Sequence, residues 1–109
     1  MDGTLRSRME LVLTTLLKNE LALPFAEPVN PKFVPGYADI IKTPMDLGTI
    51  RTRIVRGFYD HRWEQAVQDV SLVWENCFAF NRIDAEISKC ANRLRCKFLV
   101  YQSLWFWLV

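Results

Sequence analysis

Residues 63–81 read "WEQAVQDVSLVWENCFAFN", and the spacing of their apolar side chains decides the fold class. An apolar residue recurs every three or four positions, at Trp63, Val67, Val70, Trp74 and Cys77. That period is typical of an amphipathic helix with one buried face. The next position on this face is Asn81. We therefore predict a helix that starts after Asp60, runs to about Phe80 and ends its apolar face on an amide.

The same period predicts two more long helices, one near the start of the chain and one near its end. The first covers about residues 5–21. The fourth begins near Asp84, with Glu86 in a first turn that favours acids. Its seam has a spacing of four and three residues: Ile87, Ala91, Leu94, Phe98, Tyr101 and Trp105. We expect Trp105 to face the core and part of the aromatic tail after it to be exposed.

A second, short helix is predicted over residues 44–55. Thr43 can cap it, and Pro44 suits the first helical position, where its missing N–H costs nothing. Gly57 is expected to end it. Its buried face would hold Leu47, Ile50 and Ile54. Four amphipathic helices in 109 residues predict an all-α fold, a four-helix bundle that forms a single domain over residues 1–109.

The connection between the first two helices is unusually long for a bundle. It has some twenty residues and four prolines, which limit the conformations open to the chain. It is also too apolar to remain in water, since it contains Phe25, Val29, Phe33, Val34, Tyr37, Ile40 and Ile41. We predict that this long first inter-helix loop folds back over one end of the bundle.

Composition excludes several classes of protein. A net charge of +2 is weak for a dedicated nucleic-acid binder. Three cysteines and the single His61 cannot supply a common four-ligand zinc site, so neither a metal nor another cofactor is expected. An odd number of cysteines without CxxC spacing favours reduced thiols in an intracellular protein. The apolar C-terminal tail is far shorter than the ~20 residues that cross a bilayer, so no membrane partner is expected.

Asn81 allows two interpretations that the spacing alone leaves open. It can end the helix in the left-handed conformation that Asn tolerates. Alternatively, its NH2 group can donate to the carbonyl of a bound ligand. The turn after Asn81 brings it near Ile87 at the end of the bundle that the long loop can cover. An apolar cleft with one amide at its base would result.

Two motifs resemble those of the bromodomain family. Bromodomains are left-handed four-helix bundles that bind acetyl-lysine. The two motifs are "YADIIKTPMDLGTI" at residues 37–50 and "ENCFAFN" at residues 75–81. The loop "PFAEPVNPKFVPGY" at residues 24–37 is most similar to bromodomains of PHD-linked chromatin-remodelling scaffolds. The resemblance implies a nuclear chromatin reader for acetylated histone tails, excised from a larger multidomain protein.

The resemblance also implies roles for individual residues. Asn81 would donate to the acetyl carbonyl, and Tyr37 would reach the same oxygen through water. The pocket would be lined by Val29, Phe33, Val34, Cys77 and Phe80, with Ile87 as gatekeeper at its mouth. Pro24 and Phe25 would belong to a Trp-Pro-Phe shelf in which Leu23 takes the place of tryptophan. That change puts the flat surface for the flanking peptide in doubt.

Three other classes of function are alternatives to an acetyl-lysine reader. An enzyme is not expected, because His61 has no evident nucleophile beside it and Cys77 has no nearby base. A helical protein–protein interaction module with a degenerate pocket is one alternative. We expect the chain itself to be a monomer. The remaining alternative is an auxiliary contact to nucleosomal DNA through Arg51, Arg53 and Arg56. Acidic residues expected around the pocket mouth would favour basic tails: Glu27, Asp39, Asp84 and Glu86.

Overall fold

The chain is represented by a computed structural model that describes residues 3–107, with side chains described for residues 5–104. It contains five α-helices: α1 (Gly3–Lys18), α2 (Tyr37–Ile40), α3 (Leu47–Val55), α4 (Trp63–Phe80) and α5 (Glu86–Trp107). A 3-10 helix, Glu20–Phe25, lies between α1 and α2. The described residues form no strand, which confirms the all-α prediction. None of the described helices has the length and apolarity needed to cross a membrane.

The core lies between the four long helices, α1, α3, α4 and α5. Their side chains with almost no exposure include Met9, Leu13, Leu16, Leu47, Ile50, Ile54, Val70, Trp74, Ala91 and Leu94. The predicted buried face of α3 is therefore confirmed. On α5 the predicted seam is buried at Ala91, Leu94 and Phe98 and half-buried at Ile87 and Tyr101. The side chains of Trp105 and of the tail after it lie outside the described residues. The predicted bundle is confirmed.

The start of α3 differs from the prediction. The helix begins at Leu47, so Thr43 does not cap it and Pro44 is not its first residue. Asp46 is the cap: its carboxylate accepts hydrogen bonds from the Thr49 amide at 2.8 Å and from the Thr49 hydroxyl at 2.6 Å. A carboxylate that satisfies two donors is the stronger start signal. The predicted end is confirmed, because Gly57 follows the last turn with a left-handed φ of 79°.

The first helix and the long loop also differ from the prediction. α1 ends at Lys18, three residues before position 21, because the Asn19 side chain accepts the Leu21 N–H at 2.9 Å and starts the 3-10 helix. The loop therefore contains the 3-10 helix and the one-turn α2. It folds back as predicted: Phe25 is buried, with its ring edge-on to Trp74 at a centroid distance of 5.7 Å.

A buried polar cluster joins α3 to the first half of α4. The Asp69 carboxylate accepts hydrogen bonds from the Tyr59 hydroxyl at 2.5 Å, the Arg53 guanidinium at 3.1 Å and the Gln65 amide at 3.1 Å. Tyr59 is fully buried. Burial raises the pKa of Tyr59 far above its ordinary value, and the bond to Asp69 raises it further. The Asp69 carboxylate is therefore hydrogen-bonded on both oxygens by the chain's own side chains.

Candidate ligand-binding site

A cavity of about 140 Å³ opens at the end of the bundle where α4 stops and α5 starts. Its wall combines the long loop with the facing sides of these two helices. The residues that line it are Pro24, Phe25, Glu27, Val29, Val34, Tyr37, Met45, Asp46, Val73, Cys77, Phe80, Asn81 and Ile87. Most of them are apolar, so the few polar groups decide what the cavity can bind.

Asn81 is the amide of this cavity. It is the C-terminal cap of α4, as one of the two interpretations predicts, but with φ −109° and ψ 154° its backbone is extended, so the predicted left-handed conformation is wrong. Its Nδ2 donates to the Cys77 carbonyl at 3.1 Å and also donates to the Cys77 sulfur, a weak acceptor, at 3.8 Å. An NH2 group carries two donors. The bond to the carbonyl fixes the orientation of the amide, whereas the bond to the sulfur is the weaker of the two.

Tyr37 stands on the loop side of the cavity. Gly36 before it has a left-handed φ of 80°, a conformation that glycine adopts at little cost, and this turn starts α2. The Tyr37 ring packs edge-on against Phe80 at a centroid distance of 5.0 Å. Burial, with a smaller effect from Cys77, raises the pKa of Tyr37. Its hydroxyl is therefore a neutral group that can donate and accept.

Two contacts hold the loop in place around the cavity. The Gly48 amide donates to the Ala26 carbonyl at 3.1 Å, and a Cβ at position 48 would lie only 2.4 Å from that oxygen. This close approach requires glycine. The Asn76 amide donates to the Thr43 carbonyl at 2.9 Å. The loop is therefore fastened to α3 and to α4 on two sides of the cavity.

Most residues named from the sequence meet at this cavity. The structure brings together Pro24, Phe25, Val29, Val34, Tyr37, Cys77, Phe80, Asn81 and Ile87. Contrary to expectation, Phe33 and Leu23 do not line it, and each is 81% exposed.

The reasons for these two exposures are local. Phe33 lies in a turn closed by its own amide, which donates to the Asn30 carbonyl at 3.0 Å. Leu23 lies in the 3-10 helix, where residues three apart share a face. The buried pair Ala22 and Phe25 occupies the inner face, so Leu23 is turned outward.

Four lining residues were absent from the pocket predicted from the sequence: Glu27, Met45, Asp46 and Val73. Val73 precedes Cys77 by four positions, a spacing that would have placed it on the same face of α4. Met45 and Asp46 were assigned to a helix by the wrong start of α3. Glu27 was expected only at the mouth.

The acidic rim and the basic cluster are only partly assembled. Among the four acids, Glu27 lines the cavity, whereas Asp84 is paired with Arg82 at 3.1 Å. The two remaining acids, Asp39 and Glu86, are exposed and do not line it.

The three arginines of α3 face different ways. Arg51 donates to the Thr14 hydroxyl at 3.1 Å and lies 3.6 Å from Glu10, both on α1. Arg53 bonds to Asp69. Arg56 is exposed. The basic cluster expected for DNA is therefore divided.

Cys77 contributes a thiol to the cavity wall. Its sulfur donates to the Ile87 carbonyl at 3.7 Å. Burial raises the pKa of this thiol more than hydrogen bonds from Ser88 and Asn81 lower it. A protonated thiol is a poor nucleophile. Within the described residues, no cluster of three His, Cys, Asp or Glu side chains could hold a metal ion.

A helical bundle whose long first connection covers an amide-bearing cavity is the architecture of a chromatin reader module. Residues 9–93 match the bromodomain model, and the chain belongs to the bromodomain family. Bromodomains are acetyl-lysine reader modules, not generally enzymes, of chromatin-associated proteins that regulate transcription. The resemblance stated from the two sequence motifs is confirmed.

The chain is similar to one group of curated relatives. It is 42% identical over 96 residues to bromodomain adjacent to zinc finger domain protein 2A of Homo sapiens. These 96 residues are 88% of this chain and 5% of that protein. The chain is also 42% identical over 85 residues to protein 2B of Homo sapiens, with coverages of 78% and 4%. It is 43% identical over 96 residues to protein 2 of Caenorhabditis elegans, with coverages of 88% and 7%. The chain thus spans a small fraction of these relatives.

Proposed function

We propose that this chain binds acetylated lysine side chains of histone tails in the 140 Å³ cavity, with Asn81 as the donor to the acetyl carbonyl. The observation that carries the proposal is the state of the Asn81 amide. The amide is fixed on the Cys77 carbonyl, and only a weak hydrogen bond to the Cys77 sulfur competes with a guest for its second N–H beside a mainly apolar cavity.

The cavity favours the acetylated side chain over the free one for a simple reason. Acetyl-lysine is a neutral amide on an aliphatic stem, and it offers a carbonyl to a donor. Free lysine brings a cation with three donors and no acceptor. Burying that charge without a partner costs several kcal/mol. Two carboxylates, Glu27 and Asp46, also line the cavity and would lower this cost for an ammonium placed beside them, so the preference requires that the end of the guest side chain lies at Asn81.

The other lining residues have supporting roles in this proposal. Tyr37 reaches the acetyl oxygen through a water, Val29 and Val34 contact the stem, and Ile87 limits the mouth. Because Leu23 points outward, the shelf consists of Pro24 and Phe25 alone. A small cavity that engages one side chain of a flexible tail predicts weak binding, with a Kd on the order of tens of micromolar. The open cavity also favours a reader over an interaction module with a degenerate pocket.

The test is a calorimetric titration with acetylated and unmodified copies of the same histone-tail peptides. We expect binding of the acetylated copies only. Asn81→Ala should weaken it by about tenfold to a hundredfold, which corresponds to a lost hydrogen bond of about 1–3 kcal/mol. Asn92→Ala, a matched change of an exposed asparagine on α5, should bind as the parent does.

Two results would count against the proposal. One is equal affinity for acetylated and unmodified peptides. The other is a folded Asn81→Ala variant, checked by circular dichroism, with the affinity of the parent chain. We also propose that the domain acts in the nucleus as part of a larger chromatin protein, as its similarity to bromodomain adjacent to zinc finger domain protein 2A suggests.

A further inference from the structure

A second depression adjoins the cavity on the outer side of the long loop. It is a groove of about 740 Å³ between the loop and α3. Thr52, Arg53 and Arg56 line its α3 side. Glu27 and Asp46 line both the groove and the cavity, so the two are neighbours on the surface.

The two arginines of the groove are in different states. Arg53 is already committed: it bonds to Asp69 at 3.1 Å, and its guanidinium stacks on the Phe58 ring at 4.7 Å from the centroid. Arg56 lies one turn nearer the end of α3. It is exposed and makes no side-chain hydrogen bond or ion pair within the described part of the chain. Among the described residues that line the groove, Arg56 is therefore the cation without a partner.

We propose that the groove is a second subsite for the acetylated peptide, in which Arg56 pairs with an anionic side chain of the peptide's flank. The proposal rests on the proposed function of the cavity. An aspartate, a glutamate or a phosphorylated serine fits, because the planar guanidinium can donate two hydrogen bonds to carboxylate or phosphate oxygens.

The position of Glu27 adds a rule about spacing. This residue lines both the cavity and the groove and is exposed. It repels an anion placed next to the acetyl-lysine, whereas Arg56 attracts one farther along the chain. An extended peptide advances by about 3.3 Å per residue, so only some registers reach Arg56.

The charges of the groove favour a peptide over duplex DNA. DNA binding depends on several Lys or Arg side chains that each neutralise a phosphate. Here the lining also contains the carboxylates of Glu27 and Asp46, and Arg51 is held on α1 by Thr14 and Glu10. Within the described part of the chain, Arg56 is the one cation of this lining without a partner, which suits a single anionic side chain and not a row of phosphates.

The experiment is a peptide scan by calorimetry. A singly acetylated peptide with otherwise neutral flanks is compared with copies that carry one glutamate or one phosphoserine at successive positions on either side. We expect a gain of about three- to tenfold in affinity at positions beyond the immediate neighbour of the acetyl-lysine. Arg56→Gln should bind the anionic and neutral copies equally. The matched variant Arg51→Gln should retain the gain.

The outcomes separate this inference from the reader assignment. If the neutral acetylated peptide binds but no anionic copy gains, the second subsite is overturned and the reader stands. The same holds if the gain survives in Arg56→Gln. If the neutral acetylated peptide does not bind, both proposals fail together. A short duplex that binds more tightly than every peptide, and loses this affinity in Arg56→Gln, would assign the groove to DNA and overturn the peptide subsite.

Discussion

The two ends of α4 both hold polar groups in apolar surroundings, but they treat them differently. In the first half, Asp69 receives three hydrogen bonds from the chain itself. Directly after the last residue, the Asn81 amide donates to the carbonyl and, weakly, to the sulfur of Cys77 and lines a cavity. A buried polar group that the chain saturates is a structural element. One that retains a donor beside an open cavity is suited to recognition.

Asn76 lies between these ends and shows that residue type alone does not decide the role. Its amide is buried like a core group, and it donates to the Thr43 carbonyl of the long loop. It stands five residues before Asn81 on the same helix. One asparagine thus fastens the wall of the cavity, and the other is presented to its interior.

The largest expected effect is at the saturated end. Asp69→Ala removes the acceptor of the buried Tyr59 hydroxyl and the partner of Arg53. Leaving these groups unpaired should lower the free energy of unfolding by about 3 kcal/mol. Urea denaturation measures this change, with the exposed Asp39→Ala as the control. A variant as stable as that control would show that the Asp69 cluster does not stabilise the fold, and the contrast drawn between Asp69 and Asn81 would be wrong.

A smaller effect is expected in the middle of α4. Asn76→Ala should lower the free energy of unfolding by about 1–2 kcal/mol, because one buried hydrogen bond is lost. Affinity for acetylated peptide should also fall severalfold, since the loop wall is no longer fastened at Thr43. Denaturation and titration of the same samples test both parts. If only stability changes, Thr43 has no influence on the cavity.

The sequence predicts α4 well because its spacing is regular over five turns. The start of α3 was less predictable, because Pro44 and Asp46 are both good start signals. The choice depends on contacts distant in sequence. The Asn76 bond to Thr43 and the close approach of Gly48 to Ala26 hold residues 43–46 outside the helix. No local pattern contains that information.

The loop shows a second limit of sequence reasoning. Its apolar composition correctly predicts that it folds back, since Phe25 and Tyr37 are buried. Without a regular period, however, composition does not say which side chains face inward. Phe33 and Val34 are neighbours of similar character, yet Val34 lines the cavity and Phe33 is in solvent. The turn at Asn30 determines the difference.

The smallest expected effect concerns Tyr37 and sharpens the contrast with Tyr59. Tyr37→Phe keeps the ring packed on Phe80 but removes the hydroxyl from the cavity. Affinity should fall about two- to fivefold, as expected for a water-mediated bond, with stability unchanged. Tyr59→Phe is the matched control and should do the reverse, lowering stability but not affinity.

The pH dependence of Tyr37 adds an independent check on the same residue. Burial raises its pKa above the ordinary value of 10.0, so the neutral phenol is the form that the fold favours. Its contribution to stability is fully present below pH 10 and is lost as pH rises through the higher pKa of the folded state. Affinity should therefore be constant between about pH 7 and pH 9, where the phenol remains protonated. A decline of affinity within that range, absent from Tyr37→Phe, would mean that the hydroxyl ionises at the cavity and that the neutral donor inferred here is wrong.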